Sequence, residues 1–337
     1  MANSRSRKRA NLRDVAKLAK VSVATVSRVL NSPDSVSENT RAIVDSAIAQ
    51  LRFVPSAAAR AINSGRSRVV GALVPTLDHA IFARYLAALE QTLSEYRLSL
   101  VVATTSGDPT IEAQKAQTLV DIGAEGLIVS GITHEPELYE LIERCQLPAV
   151  ATSYYDPEFL LPTIGYDNAG AGRIALEHLI SLGHSKIAVV HGSLTSNDRT
   201  LARIRGLEGH DDAELIYFEA DLSVEEGCKA AQSILSATQQ PTAVLCLSDV
   251  LATGVLYELK RKGISVPEDI SVIGIDDLPG SAHTSPSLTT VHLPVVRMGQ
   301  ATAVAISEWI ENGTEPSEKL FETDLVIRES TSSRFSV

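Results

Sequence analysis

A chain of 337 residues exceeds what one hydrophobic core ordinarily serves, and 44% apolar content is that of a globular protein, so two or three compact units are expected. No run of about 18 apolar residues occurs, which excludes a membrane-spanning helix. The charge is uneven: residues 1–66 carry 12 Lys+Arg against 4 Asp+Glu, net +8, and residues 67–337 carry 18 against 37, net −19. That reversal points to a polyanion as partner of the front segment and of nothing behind it. The basic start MANSRSRKRANLRD has no apolar stretch after it, so no secretory signal is expected. Cys145, Cys228 and Cys246 form neither a CxxC pair nor a disulfide framework, and are expected as buried free thiols in a reducing cytoplasm.

In chain order, Asn11 with Asp14 three residues later marks a helix start. Leu12, Val15, Leu18 and Ala19 follow at helical spacing. Lys20-Val21-Ser22 breaks the pattern, and Ser22 can cap a second helix whose inward face is Val26, Val29 and Leu30. A third helix from about Ser37 shows Ile43, Val44, Ala47, Ile48 and Leu51. Three short helices, the first two joined by three residues, have the size of a helix-turn-helix. The outward face of the second offers Val23, Ala24, Thr25, Ser27 and Arg28. Small side chains let a helix enter a major groove, Val and Ala can touch a thymine methyl, and Ser and Arg can bond base edges or phosphates. Arg5, Arg7, Lys8 and Arg9 can add non-specific phosphate attraction. Phe53 to Ile62 is then a short Ala-rich segment. Pro55 and Ser56 open about two turns of helix, too short to stand alone in water, and Gly65 ends it.

From Arg68 onward, apolar strands alternate with helices. Strands are expected at 69–74, 98–103, 126–129 and 148–152, with helices at 81–96, 112–122 and 136–144. After Tyr166 the alternation restarts, with helices at 171–182, around Arg199, at 225–235 and at 252–262, and strands at 186–191, 215–218, 243–247 and 271–275. This predicts two α/β lobes with parallel sheets, and a small-molecule cleft where the strand carboxyl ends face each other. The residues singled out at those ends are Asp78, His79 and Phe82, Asn197 and Arg203 as the bounds of one candidate stretch, Asp249 and Asp276. Carboxylates and a guanidinium in a concavity suit hydroxyl-rich ligands. No HExxH, GxSxG or GxxxxGK[ST] pattern occurs, and the glycines of 165–172 form only a partial phosphate-loop pattern, so an enzyme, a metal and a cofactor are not expected.

The string LRDVAKLAKVSVATVSRVLNSPDSVSENTR resembles the N-terminal signature of the lactose-repressor (LacI/GalR) family of bacterial transcription regulators, through Asp14-Val15-Ala16, Val21-Ser22, Thr25 to Asn31 and Val36-Ser37. The resemblance runs along nearly the whole chain. It implies an all-α helix-turn-helix DNA-binding domain (1–54), a hinge helix and linker (55–66), and an α/β two-lobed periplasmic-binding-protein-like domain (67–337). Lobe 1 would hold about 67–165 and 295–320, and lobe 2 about 166–294 and 321–330, with crossings near Gly165, Pro294 and Phe321. The helix Val296–Ile310 would return to lobe 1, with Trp309 packing away from the cleft, and the strand Thr323–Ile327 to lobe 2.

On this resemblance Asn31 joins the DNA-contacting set, and Ser56, Ala59 and Ile62 belong to a hinge helix that orders on the operator, with Ile62 wedging into the minor groove. Arg203, with Gly206 three residues on, matches the effector-contacting Arg, and Asp249 and Asp276 match the acidic contacts. Three departures stand out: Lys20 replaces the usual turn Gly, His79-Ala80-Ile81-Phe82 replaces Asn-Pro-Phe-Phe, and the stretch after Gly206 is shortened. The implied protein is a cytoplasmic repressor-type regulator whose partners are double-stranded operator DNA and a small effector. Sugar, sugar acid, sugar phosphate and nucleoside all suit the site. The tail Ser330–Val337 has no heptad pattern, which favours a homodimer over a tetramer. A ligand receptor without DNA contact is the competing class, opposed by the helix-turn-helix.

Overall fold

Asn11 opens helix α1 (Leu12–Ala19) with a closed capping box: its carboxamide accepts from the Arg13 and Asp14 N–H groups, and Asp14 Oδ2 accepts from the Asn11 N–H at 2.9 Å. The helix ends at Lys20 in the left-handed region (φ 53°), so the Gly-favouring turn position is filled by a lysine at a cost of roughly 1–2 kcal/mol. Ser22 Oγ then accepts from Thr25 N–H at 3.0 Å and starts α2 (Val23–Asn31). Ser37 caps α3 (Glu38–Leu51). Val15, Ala16, Ala19, Val26, Val29, Val44, Ala47 and Phe53 make one core.

Two residues expected to face inward do not: Leu18 is 41% and Ile43 44% exposed. The buried stripe of α1 is centred between Val15, Ala16 and Ala19, and that of α3 between Val44 and Ala47, so Leu18 and Ile43 sit roughly 100° away around their helices. The computed structural model describes residues 10–31, 33–54, 65–195 and 197–334, which divide into two units at Arg68/Val69. Ser56, Ala59 and Ile62 lie outside the described residues.

The second unit is built from two six-stranded sheets. In the first, β1 (Val69–Val74), β2 (Ser99–Thr104), β3 (Ala124–Ser130), β4 (Ala149–Thr152) and β5 (Thr163–Tyr166) take the order β2-β1-β3-β4-β5, all parallel, and β11 (Lys319–Phe321) extends the β5 edge. In the second, β6 (Lys186–His191), β7 (Glu214–Glu219), β8 (Ala243–Cys246), β9 (Ser271–Asp276) and β10 (Thr289–His292) repeat that order, and β12 (Asp324–Val326) adds antiparallel to β10. The chain thus changes sheet after β5, after β10 and between β11 and β12.

Helices α4 (Ala80–Glu95) and α11 (Val295–Asn312) pack together on one face of the first sheet. On its other face lie α5 (Pro109–Asp121) and α6 (Pro136–Cys145). The second sheet carries α7 (Asn168–Ser181) on one side and α9 (Val224–Ser236) and α10 (Asp249–Arg261) on the other. Leu89, Leu93, Leu176 and Ile187 are fully buried, each contributing on the order of 2 kcal/mol. Trp309 is half-buried against the same core.

The glycines of 165–172 serve close packing. A β-carbon on Gly172 would lie 2.3 Å from the Arg203 carbonyl oxygen, and one on Gly206 would lie 1.9 Å from that of Ala169, so α7 and α8 (Asp198–Arg205) touch backbone to backbone. Of the thiols, Cys246 is buried, Cys228 half-buried, and Cys145 exposed. Cys145 corrects the expectation of burial: it ends α6 at the surface rather than lying in a strand as Cys246 does.

Candidate effector site and DNA-reading face

On the first unit, α2 buries Val26 and Val29 and turns Val23, Ala24 and Arg28 to solvent, with Thr25 and Ser27 half-buried between. The Thr25 hydroxyl is tied to Ser22 Oγ at 2.8 Å, which fixes the first turn. The outward side chains are two small apolar groups and a guanidinium, a set that fits into a groove and can bond base edges. Asn31 lies at the end of the same helix.

In the second unit, a cavity of about 100 Å³ lies between the carboxyl ends of the two sheets. From the first lobe come Pro75, Thr76, His79, Ile81, Phe82, Tyr85 and Ser153, with Val295 and Met298 of α11. From the second come Asn197, Arg199, Thr200, Arg203, Ser248 and Asp276, with Leu222, Leu247, Val250 and Leu278. Five of the seven residues expected at the site therefore line it: His79, Phe82, Asn197, Arg203 and Asp276.

Arg203 is 7% exposed and held on two sides, its Nε donating to Asn168 Oδ1 at 3.2 Å and its Nη1 to the Leu247 carbonyl at 2.6 Å. Nη1 stands 3.7 Å from Asp276 Oδ1, and Ser248 Oγ donates to Asp276 Oδ2 at 2.9 Å. Burial pushes the Asp276 carboxyl up, against the opposing pull of Arg203 and Ser248. Asp276 (φ 134°) and Asp277 (φ 51°) are consecutive residues at positive φ. That strained pair sends the first carboxylate into the cavity and the second to Arg328 Nη2 at 2.6 Å and His292 Nδ1 at 2.9 Å. Burial raises Asp277, but Arg328 and His292 outweigh it and hold the group below the usual carboxylate range.

His79 bridges the lobes. Its ring stacks on Phe82, centroids 6.4 Å apart, and its Nε2 lies 2.8 Å from the Leu222 carbonyl oxygen. A carbonyl only accepts, so the proton sits on Nε2. Asn197 caps α8, its side chain accepting from Thr200 N–H at 3.2 Å. Burial and the nearby Asp276 charge both push the Tyr166 phenol up, with Arg203 opposing, so it is neutral in the wall.

Two expected residues are elsewhere. Asp78 is exposed and lines an outer mouth with Leu77, Asp221 and Leu222, not the inner chamber. Asp249 is fully buried inside lobe 2, where its carboxylate accepts from Leu278 N–H, Ser281 Oγ and Thr290 Oγ1 at 2.9, 2.6 and 2.6 Å. It props the β9–β10 connection behind the cavity, because the first residue of α10 points back across the sheet end while its cap, Ser248, points forward. Ser248, Ser153 and Tyr166 were not expected at the site, and Arg199 lay within the expected stretch Asn197 to Arg203 without being singled out. Arg199 stands four residues before Arg203, on the same face of α8, a spacing that could have revealed it.

Asp198 joins the lobes as well, its Oδ2 accepting from the Ile132 and Thr133 N–H groups at 2.6 and 3.1 Å. Arg84 Nη1 donates to the Asp277 carbonyl at 3.1 Å. Among the described residues there is no cluster of three or more His, Cys, Asp or Glu that could hold a metal ion, and no helix is long and apolar enough to cross a membrane.

Residues 11–56 match the family of bacterial regulatory proteins of lacI type, and residues 176–331 match a periplasmic binding protein-like domain. The chain is 31% identical over 332 residues to the ribose operon repressor of Haemophilus influenzae, covering 95% of this chain and 98% of that one. It is 32% identical to the transcriptional repressor PurR of Aliivibrio fischeri, covering 96% and 99%. Among solved structures, the lac repressor dimer bound to operator and an anti-inducer superposes with a TM-score of 0.84 at 27% identity, covering 96% of this chain and all of that one.

Proposed function

Because the chain belongs to the lacI family of bacterial regulatory proteins, we propose a division of labour for a DNA-binding regulator controlled by a small-molecule effector. Residues 1–54 read double-stranded operator DNA, residues 55–66 couple, and residues 67–337 bind a small polar effector between two lobes. Val23, Ala24, Thr25, Ser27, Arg28 and Asn31 are the reading set, with Ser56, Ala59 and Ile62 in the coupler. His79, Phe82, Asn197, Arg199, Arg203, Ser248 and Asp276 take the effector. The protein acts in the cytoplasm as a homodimer on a pseudo-palindromic operator, one α2 per half-site, and works by binding rather than turnover.

One observation carries the effector reading: a buried guanidinium and carboxylate, Arg203 and Asp276, stand 3.7 Å apart at the edge of an interlobe cavity, each fixed by other groups and each with bonding capacity left. A site spanning two lobes alters their separation when it fills, and that change is what a coupler can pass to DNA. The DNA half is tested by gel shift of the full chain on operator-like duplexes, with Arg28→Ala as comparison. Specific binding should be lost in the variant while salt-sensitive non-specific binding persists. Equal sequence preference in both proteins would remove base readout from α2.

A further inference from the structure

We infer that the effector is an anionic, hydroxylated small molecule, a sugar phosphate or sugar acid, whose charged group lies between Arg199 and Arg203. This rests on the cavity being the effector site, as proposed above, and narrows what that site accepts.

The inner wall itself presents more cationic than anionic groups, the carboxylate partner of Arg199, Asp198, standing behind it. It carries two guanidiniums, Arg199 and Arg203, one carboxylate, Asp276, and the imidazole of His79. Both arginines are buried, the side chain of Arg203 at 9% and that of Arg199 at 11% exposure. They sit four residues apart on α8, so their side chains leave the helix on one face. Arg203 spends Nε and Nη1 on Asn168 and Leu247, and Nη2 has no hydrogen bond among the described residues.

Arg199 is less satisfied still. Its charged contact is Asp198 Oδ1 at 3.0 Å, and among the described residues its guanidinium makes no hydrogen bond. The other oxygen of Asp198 is already occupied by the Ile132 and Thr133 N–H groups, which draws that carboxylate's charge towards lobe 1. The same guanidinium borders the inner chamber, the outer mouth and a side pocket of about 200 Å³.

Asp198 and Asp276 each meet a guanidinium at one nitrogen only, at 3.0 and 3.7 Å, and a planar fork gains most on a carboxylate or phosphate that takes two of its donors at once. The rest of the chamber is largely apolar, with Ile81, Phe82, Leu222, Leu247, Val250, Leu278, Val295 and Met298. Such surroundings keep the local dielectric low and strengthen the attraction. Asp276, Ser248 and Asn197 remain to meet hydroxyls. A neutral sugar would use those three and take single hydrogen bonds from the arginines, without an opposing charge. The chamber's size, about 100 Å³, confines the ligand to one ring or less in this closed arrangement.

The test is calorimetry and thermal shift on the full-length protein with glucose 6-phosphate and ribose 5-phosphate, glucuronate and gluconate, glucose and ribose, and inorganic phosphate. At least one anionic sugar should bind at least about tenfold tighter than its neutral parent. The phosphate and carboxylate arms tell which group the arginines hold. Arg199→Gln should bring that ratio to within about threefold, and Arg199→Lys, which keeps the charge but not the fork, should hold part of it.

If Arg199→Gln fails to fold, the unaltered protein decides: raising salt from about 50 to 300 mM should weaken the anionic ligand and leave the neutral one unchanged. A neutral sugar that binds as tightly as its charged derivative overturns the anion assignment and leaves the effector site standing. So does an Arg199→Gln variant that weakens both alike. Inorganic phosphate binding as tightly as the sugar phosphates overturns the hydroxylated part. If no compound binds, the anion assignment and the effector reading both fall.

Discussion

The two lobes share one topology but bring different chemistry to their common cavity. Lobe 2 supplies the charged groups, Arg199, Arg203 and Asp276, together with Asn197 and Ser248, while lobe 1 supplies an apolar and aromatic wall with His79 and Ser153 at its edge. Lobe 2 also invests more in holding its groups still. Behind Asp276 lie Asp249 with its three donors, the strained Asp276-Asp277 pair, and Arg328 donating to Asp277 and to the Leu288 carbonyl. On the proposed effector reading, the difference makes one half a preorganised binding plate and the other a cover. On that reading specificity would reside in lobe 2, and closure in what lobe 1 offers back: two backbone N–H groups to Asp198, a histidine to Leu222, and Arg84 to Asp277.

The sharpest way to break that contrast is to truncate one residue on each side. Arg203→Ala strands Asp276, Asn168 Oδ1 and the Leu247 carbonyl in a dry interior, and should cost about 3–5 kcal/mol in urea unfolding. Phe82→Ala, from a half-buried ring of lobe 1, should cost less than about half as much. Equal losses would mean the plate is no more rigid than its cover.

A second, smaller contrast uses glycine. A β-carbon on Gly206 meets the Ala169 carbonyl oxygen at 1.9 Å, where backbone must move, whereas one on Gly126 meets the side-chain ends of Ile310 and Ile306 at 3.0 and 3.1 Å. Gly206→Ala should therefore destabilise by about 2–3 kcal/mol, and Gly126→Ala by about 1 kcal/mol as those isoleucine side chains shift. The same urea midpoints check both.

Much of this was legible in the sequence, for local reasons. The capping box at Asn11 and Asp14, the Ser22 and Ser37 caps and the strand–helix alternation depend on neighbours within a few residues. What escaped depends on distant ones. Whether a strand-end aspartate faces a cleft or a core was settled for Asp249 by Ser281 and Thr290, 32 and 41 residues away. The short strands β5 and β10 passed unnoticed because each precedes a change of sheet, where the alternation is interrupted. The backbone angle at Lys20 was open in the sequence and is left-handed in the fold. Arg199 lay inside the stretch expected at the site, and reading the face of α8 at a spacing of four would have singled it out.

The closing contact can be tested next. Asp198→Ala removes the acceptor that binds Ile132 and Thr133, and a charged acceptor shared by two N–H groups should bias closed over open lobes by about 1–3 kcal/mol. Small-angle scattering of the variant should give a larger radius of gyration than the unaltered protein under the same conditions. An identical curve would assign closure to His79 and Arg84 instead.

The smallest expected effect is a pH dependence local to lobe 2. His184 is buried, with Nδ1 3.0 Å from Thr242 Oγ1 and Nε2 3.1 Å from both Ser271 Oγ and the Ser332 carbonyl, which pins the C-terminal strap to β9. Burial pushes its pKa down, as does the Arg334 charge, against the Ser332 carbonyl; His178 beside it is lowered too, by burial first and then by His184. A lowered histidine binds fewer protons folded than unfolded between its two pKa values. Stability is therefore full above the ordinary value near 6.5 and falls as pH drops below it. Asp249 and Asp276, raised by burial, work in the opposite sense, losing their contribution as pH rises through the raised values, so total stability alone cannot isolate the histidines. The difference between the unaltered protein and His184→Asn can. It should be constant above about pH 7 and narrow or reverse towards pH 5.5, with amide exchange quickening in β6 and β9 before β1 and β3. No difference at any pH would show that the strap is held by Ser330, whose hydroxyl donates to the Val272 carbonyl at 2.6 Å, and not by the imidazole; a constant one would show that the imidazole holds it without titrating.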